Sequence, residues 1–238
     1  MAGSLTTLRE FSKLFHKRVI TIPRNEQLVV DEMPTLFART PQQKDGLFIQ
    51  RIRQLQHSKP GAPILITARS MADADRIHGL LERRGFNVAN VQKLHAGNEQ
   101  EEAKIIQRAG LPNMITISTG ISGRATDIIL LQHRQGISAR AQIEQRATPL
   151  LQDATAELMS RLDALAADRN DLTRAAKVDA LNHFMRTALR GVPAVQRREL
   201  QHMVNAKYVY GLQLLGDMTY TGRELIQNQG RVARAGDP

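Results

Sequence analysis

The chain has no cysteine and no tryptophan, and its aromatic residues amount to 3 tyrosines and 6 phenylalanines in 238 positions. Without cysteine there is neither a disulfide framework nor a thiolate metal site, so the fold must be held by packing. No apolar run approaches the ~20 residues that a helix needs to cross a bilayer, and the amino terminus has no signal-peptide core. A soluble, cytosolic chain is therefore expected. Also missing is any G-x-x-x-x-G-K-[ST] loop, the phosphate cradle of P-loop enzymes. Val29-Val30-Asp31-Glu32 imitates the apolar strand and paired carboxylates that accompany such a loop, but without the loop it reads as a surface connection. His78, His95, His183 and His202 have no metal spacing and read as surface or packing residues, so no metal site is expected.

What the chain does have is positive charge. Lysine and arginine number 33 against 23 acidic residues, a formal net charge of +10. Such a balance favours anions: nucleotides, nucleic acid or an acidic membrane surface. The scarcity of aromatics counts against a reader of single-stranded nucleic acid, which stacks bases on exposed rings. The length is enough to bury a sizeable core and allows one or two domains.

Up to about residue 131 the pattern alternates. Short β-branched runs at Val19–Ile22, Ile64–Thr67, Val88–Val91, Met114–Ser118 and Ile128–Leu131, with a further run at Tyr208–Leu215, read as buried strands. Helical periodicity fills Gln42–Gln56, Met71–Gly85 and Glu99–Ala109 between them, with Ser70 placed as a start and Gly85 and Gly110 as stops. This is the rhythm of a doubly wound parallel sheet. Between the fifth and the last of these runs the pattern becomes helical only. Ile143, Ala147, Leu150, Ala154, Leu158, Leu162 and Leu165 mark one stripe of a long helix, and Asp168-Arg169-Asn170-Asp171 offers a break and a cap. A second helix carries Leu172 to Leu189 and ends near Gly191-Val192-Pro193; a third spans Ala194–Ala206. A helical hairpin or three-helix unit is expected there.

Two stretches carry candidate chemistry. In Gln227-Asn228-Gln229-Gly230-Arg231-Val232-Ala233-Arg234 two arginines three residues apart share one helix face, so both guanidinium groups can reach one polyphosphate across a cleft. A solvated cationic face is the ordinary alternative. In Thr116-Ile117-Ser118-Thr119-Gly120-Ile121-Ser122-Gly123-Arg124-Ala125-Thr126-Asp127-Ile128 an apolar strand enters a Gly/Ser/Thr turn bearing an arginine and a carboxylate. Such a turn offers backbone N–H groups and charge at the carboxyl end of a parallel sheet, where α/β proteins bind ligands.

The second stretch resembles T-I-A-T-N-M-A-G-R-G-T-D-I, the fifth motif of the SecA protein-translocation motors, and the first resembles their sixth motif, Q-L-R-G-R-A-G-R-Q-G-D-P, ending here in Ala235-Gly236-Asp237-Pro238. Val19-Ile20-Thr21-Ile22-Pro23-Arg24-Asn25, Pro63–Thr67 followed by Ser70, His95 through Gly110, and Tyr210–Gly216 are similar to further segments of that family, so the likeness covers roughly residues 9–131 and 208–238. It implies an α/β fold of the RecA-like, P-loop NTPase type with an all-α helical insertion: residues 1–131 plus 208–238 as the second nucleotide-binding domain and 132–207 as the insertion. In that family the arginines matching Arg231 and Arg234 stabilise charge on the γ-phosphate. Asp127 matches a nucleotide-contacting position, through ribose or a water, with a helix-capping carboxylate as the alternative. Arg124 matches a residue that couples nucleotide state to domain closure, or is a plain surface arginine, and Gly123, Thr126 and Gly230 would line the same nucleotide.

The resemblance also implies ATP shared with a first RecA-like domain of the same longer protein, Mg²⁺ held only through that domain, and little hydrolysis by this chain alone. Its partners would be a protein-export channel and unfolded polypeptide. Its location would be cytoplasmic, or peripheral at the inner face of a bacterial membrane and its acidic surface. Departures from the family pattern at Glu26, Gly120, Ala125, Gln229 and Ala233 point to an altered, slow or decayed motor, since an added methyl lengthens a phosphate contact and a lost arginine removes a charge-assisted bond. The alternatives are the carboxyl-terminal half of a nucleic-acid helicase and a non-catalytic interaction protein on a motor fold.

Overall fold

Ile64-Leu65-Ile66-Thr67-Ala68 forms β1 (Ile64–Ala68), and every residue in it is buried, as a strand covered on both faces must be. In the computed structural model, which describes residues 12, 13, 15, 16, 33–94, 99–119, 128–131, 136–168 and 170–216, β1 joins β2 (Val91–Leu94), β3 (Ile115–Thr119) and β4 (Gln213–Gly216) in one parallel sheet of order β2-β3-β1-β4. The β1–β3 register runs from Ile64↔Ile115 to Ala68↔Thr119, and the β1–β4 register from Ile64↔Gln213 to Thr67↔Gly216.

Alternate residues serve opposite faces. Ile64, Ile66 and Ala68 of β1, with Ile115 and Ile117 of β3, pack on α1 (Pro41–Ser58) and α2 (Met71–Arg83) through Ile52, Ile77 and Leu81. Leu65 faces the other way, onto Ala109 at the end of α3 (Glu99–Ala109) and onto Ile128, Leu130 and Leu212. Helices thus cover both faces of a parallel sheet, the expected α/β architecture of the RecA-like, P-loop NTPase type. Thr40 and Ser70 start α1 and α2 as N-caps, each hydroxyl accepting from the backbone N–H three residues on.

The helical stretch builds a core of its own. α4 (Ala139–Leu151), α5 (Thr155–Ala166), α6 (Asp171–Ala188) and α7 (Ala194–Val204) bury Ile143, Ala147, Leu158, Leu162, Leu181, Met185, Leu200 and Val204 together, and the flanking Leu131 and Tyr208 join them.

Four expectations differ from what is observed. Val88–Asn90 is a 3-10 turn, and β2 begins only at Val91. Ile128–Leu131 is a turn, not a strand, with Ile128, Leu130 and Leu131 buried: it passes against Gly110, where a Cβ would collide with the Ile129 carbonyl, and Leu131 bends away at φ 57 with its N–H on Gly110 O. Of Tyr208–Leu215 only the end is strand, since Asn205–Val209 forms a π-helical turn. The long helix is two helices. Pro149 lies inside α4 and removes one N–H from its ladder, the chain reverses at Gln152 (φ 48), and Gln152–Ala154 is a 3-10 turn. The expected strand at Val19–Ile22 and the Val29–Glu32 segment lie outside the described residues.

Candidate functional site

β3, in which the first motif begins, and β4, which lies ahead of the second in the sequence, end at one edge of the sheet. β3 ends at Thr119, level with Ala68, and β4 ends at Gly216, level with Thr67, so the strands preceding the two motifs finish on either side of β1 at its carboxyl end. Gly123, Arg124, Thr126, Asp127, Gly230, Arg231 and Arg234 themselves lie outside the described residues. What is described is the strand that launches each group and the strand between them.

The connections around this edge diverge. After β1 the chain enters α2 and packs on one face of the sheet; after the segment that follows β3 it returns as Ile128 and Leu130 on the other. Neighbouring strands whose connections leave to opposite faces open a crevice at their carboxyl ends, where doubly wound sheets receive ligands.

Arg69 and Ser70, the first residues past β1, stand at this edge. Ser70 caps α2, its hydroxyl accepting from Asp73 N–H at 3.2 Å. The Asp73 carboxylate, 7% exposed, accepts from Arg69 N–H and Arg69 Nε at 3.3 Å and from Arg76 Nε at 3.0 Å. Arg76 also reaches Asp45 at 2.5 Å. Burial pushes the Asp73 carboxyl up, but the bonds from Arg76 and Arg69 together outweigh it and hold the group below its ordinary range. Arg69, paired with Asp73 through Nε and 58% exposed, is a cation that stands at this edge. Neither motif contains it. The available signal was an arginine between a buried strand and a capping serine with an acid three residues on.

Among the described residues no cluster of histidine and carboxylate side chains could hold a metal ion, and no helix is long and apolar enough to cross a membrane. An open hollow of about 450 Å³, lined by Ile129, Leu131, Ser138, Arg140, Lys207 and Tyr208, lies beside Gly110, away from the carboxyl edge, and has a mostly apolar lining. Its position and lining suit contact between the helices and the sheet, not a phosphate.

Comparison with known proteins gives the same direction. The family model described as the SecA P-loop domain matches residues 28–238. The protein translocase subunit SecA of Anaeromyxobacter sp. (strain Fw109-5) is 28% identical over 241 residues, taking in 100% of this chain and 23% of the relative. That of Halothermothrix orenii is 33% identical over 131 residues, 55% of this chain and 15% of the relative. The protein translocase subunit SecA 2 of Streptomyces avermitilis is 29% identical over 173 residues, 72% of this chain and 18% of the relative. The chain thus spans at most about a quarter of each of these relatives.

Proposed function

Because the chain belongs to the SecA P-loop domain family, we propose that it is the second of two RecA-like nucleotide-binding domains of an ATP-driven protein-translocation motor. In this reading residues 1–131 and 208–238 form the motor domain and 132–207 a helical insertion, a division supported by the separate helical core. The observation that supports the reading is the register of β3, β1 and β4, whose carboxyl ends lie at one edge of the sheet, while in the sequence one arginine-bearing motif begins in β3 and the other follows β4.

The chemistry follows from charge. A phosphoryl group in flight spreads negative charge over its oxygens, and guanidinium groups fixed in advance lower that barrier more than they strengthen ground-state binding. Arg231 and Arg234 take that role, Asp127 and Arg124 report the nucleotide to the rest of the domain, and Gly123, Thr126 and Gly230 let backbone approach it. The first domain of the longer protein supplies the phosphate loop, the Mg²⁺ ligands and the catalytic carboxylate. Its export channel and unfolded polypeptide are partners in the same reading, with an acidic membrane surface beneath.

In the full-length protein, Arg231→Ala and Arg234→Ala should each lower ATP turnover by about 10³-fold or more while changing nucleotide affinity far less. Arg223→Ala serves as the control for loss of charge alone. Equal and small effects at Arg223, Arg231 and Arg234 would reduce these arginines to a basic surface. The substitutions already present at Ala125, Gln229 and Ala233 would then favour an interaction protein on a motor fold.

A further inference from the structure

The helical unit meets the amino end of the sheet through polar groups. In the turn before β1, Gly61 has φ +94, and a Cβ there would stand 2.7 Å from both Cα and the carbonyl oxygen of His202 on α7, so helix backbone lies directly on the glycine. Asn113, in the turn before β3, donates its N–H to Gly61 O at 3.1 Å and accepts the Gly61 N–H on its side-chain Oδ1 at 3.1 Å. That second bond fixes the amide. With Oδ1 turned to Gly61, the Nδ2 group faces the imidazole Nδ1 of His202 at 2.9 Å, and because Nδ2 only donates, Nδ1 must accept. The ring is therefore neutral, with its proton on Nε2. An imidazolium would set N–H against N–H.

A second tie lies one turn on and does not titrate. Asn205, 3% exposed, donates to Pro60 O at 2.8 Å and accepts from Gln201 Nε2 at 3.1 Å. It opens the π-helical turn, closed by Tyr210 N–H on Asn205 O at 2.8 Å, which leads into β4. Arg174 of α6 holds the same turn by its bond to Tyr208 O.

We propose that His202 is a proton-sensitive latch between the helical unit and the amino end of the sheet, closed while Nδ1 carries a lone pair, with the Asn205 turn as the pivot. Protonation releases α7 from Asn113 and Gly61 while Asn205 keeps its hold on Pro60, so α7 swings about the residues that run into β4. Arg198, one turn back on α7, is the charged group that acts on the ring; Lys59, beside the facing turn, has its ammonium on Gln213 Oε1, and Glu199 of α7 is paired with Arg146 of α4. Among the described residues no carboxylate is paired with His202. Burial and then Arg198 hold its proton affinity below the ordinary 6.5. A histidine depressed in the folded state contributes stability above 6.5 that is lost as pH falls through the folded value.

The test uses the 238-residue chain, with NMR of the His202 ring and the Gly61 amide from pH 8 to pH 5. In the parent the Gly61 amide resonance should move as His202 titrates, because the α7 backbone that lies against Gly61 leaves it. His202→Gln, which can accept from Asn113 without titrating, should leave that amide flat. Asn113→Asp should reverse the sense: the carboxylate still accepts from Gly61 and now attracts the imidazolium, raising the His202 pKa by about one unit or more and strengthening the joint as pH falls. A Gly61 amide that stays unchanged through the parent's His202 titration, or an unmoved His202 pKa in Asn113→Asp, overturns the proposal.

Discussion

Below about pH 4, Asp168 is a residue through which pH should act on α5 and α6. It stands between α5 and α6, its side chain 8% exposed, and its carboxylate meets Lys177 Nζ at 2.7 Å, Asn170 N–H at 3.0 Å and the Thr173 hydroxyl at 2.9 Å. These donors, Lys177 foremost, bring its pKa from 3.8 down to about 2. A carboxyl that is more acidic folded than unfolded binds fewer protons in the folded state, so its contribution is complete above about pH 4 and disappears as pH falls towards 2. Asp168→Asn should lower the urea midpoint clearly at pH 6 and only about a third as much at pH 2.5. If parent and variant differ by the same amount at both, the charge contributes nothing.

At the scale of elements, the parts that fold locally were legible and the parts fixed by distant partners were not. β1 and β3 were readable within a residue or two because runs such as Ile64-Leu65-Ile66 have no other stable use than a covered strand. Ser70 and Thr40 behave as caps because a hydroxyl three residues before a free N–H needs nothing else. Ile128–Leu131 has the same composition as a strand, and only its passage over Gly110 makes it a turn. The break at Gln152 was available in Pro149 but was masked by an apolar stripe that continues across it. The bond of Asn113 with His202 left no local pattern, since its partners are 89 residues apart. Of the site, the two motifs were visible in sequence, whereas Arg69 gained meaning only once β1 was seen between β3 and β4. Replacing residues 134–206 by a short Gly/Ser linker should leave an α/β domain that still unfolds cooperatively on heating, because closing a longer or shorter surface loop changes entropy slowly. It should be less stable than the parent, since Leu131 and Tyr208 lose their cover. A broad, non-cooperative melt would make the helices part of the motor core.

At the scale of the whole molecule, the chain presents one wall of a two-walled nucleotide site in the proposed reading. A few charge-assisted contacts at about 1.5–3 kcal/mol each, less the cost of ordering the groups that make them, correspond to millimolar affinity. Calorimetric titration of this chain with ATP should therefore give weak binding, and a submicromolar Kd would mean that the site is complete within it.

The register of the sheet also governs which changes of length the protein can absorb over time. Two strand spacings, about 9.5 Å, separate the carboxyl ends of β3 and β4, and that interval is held by residue-by-residue pairing through β1. One residue gained or lost within Gln213–Gly216 would exchange the two faces of β4 and shift its register by about 3.3 Å. Apart from the contacts of Arg174 and His202 with the chain around the sheet, the stretch from 136 to 204 can change length without disturbing that interval. Insertions and deletions are therefore expected to be tolerated in the helices and excluded from a strand of four residues.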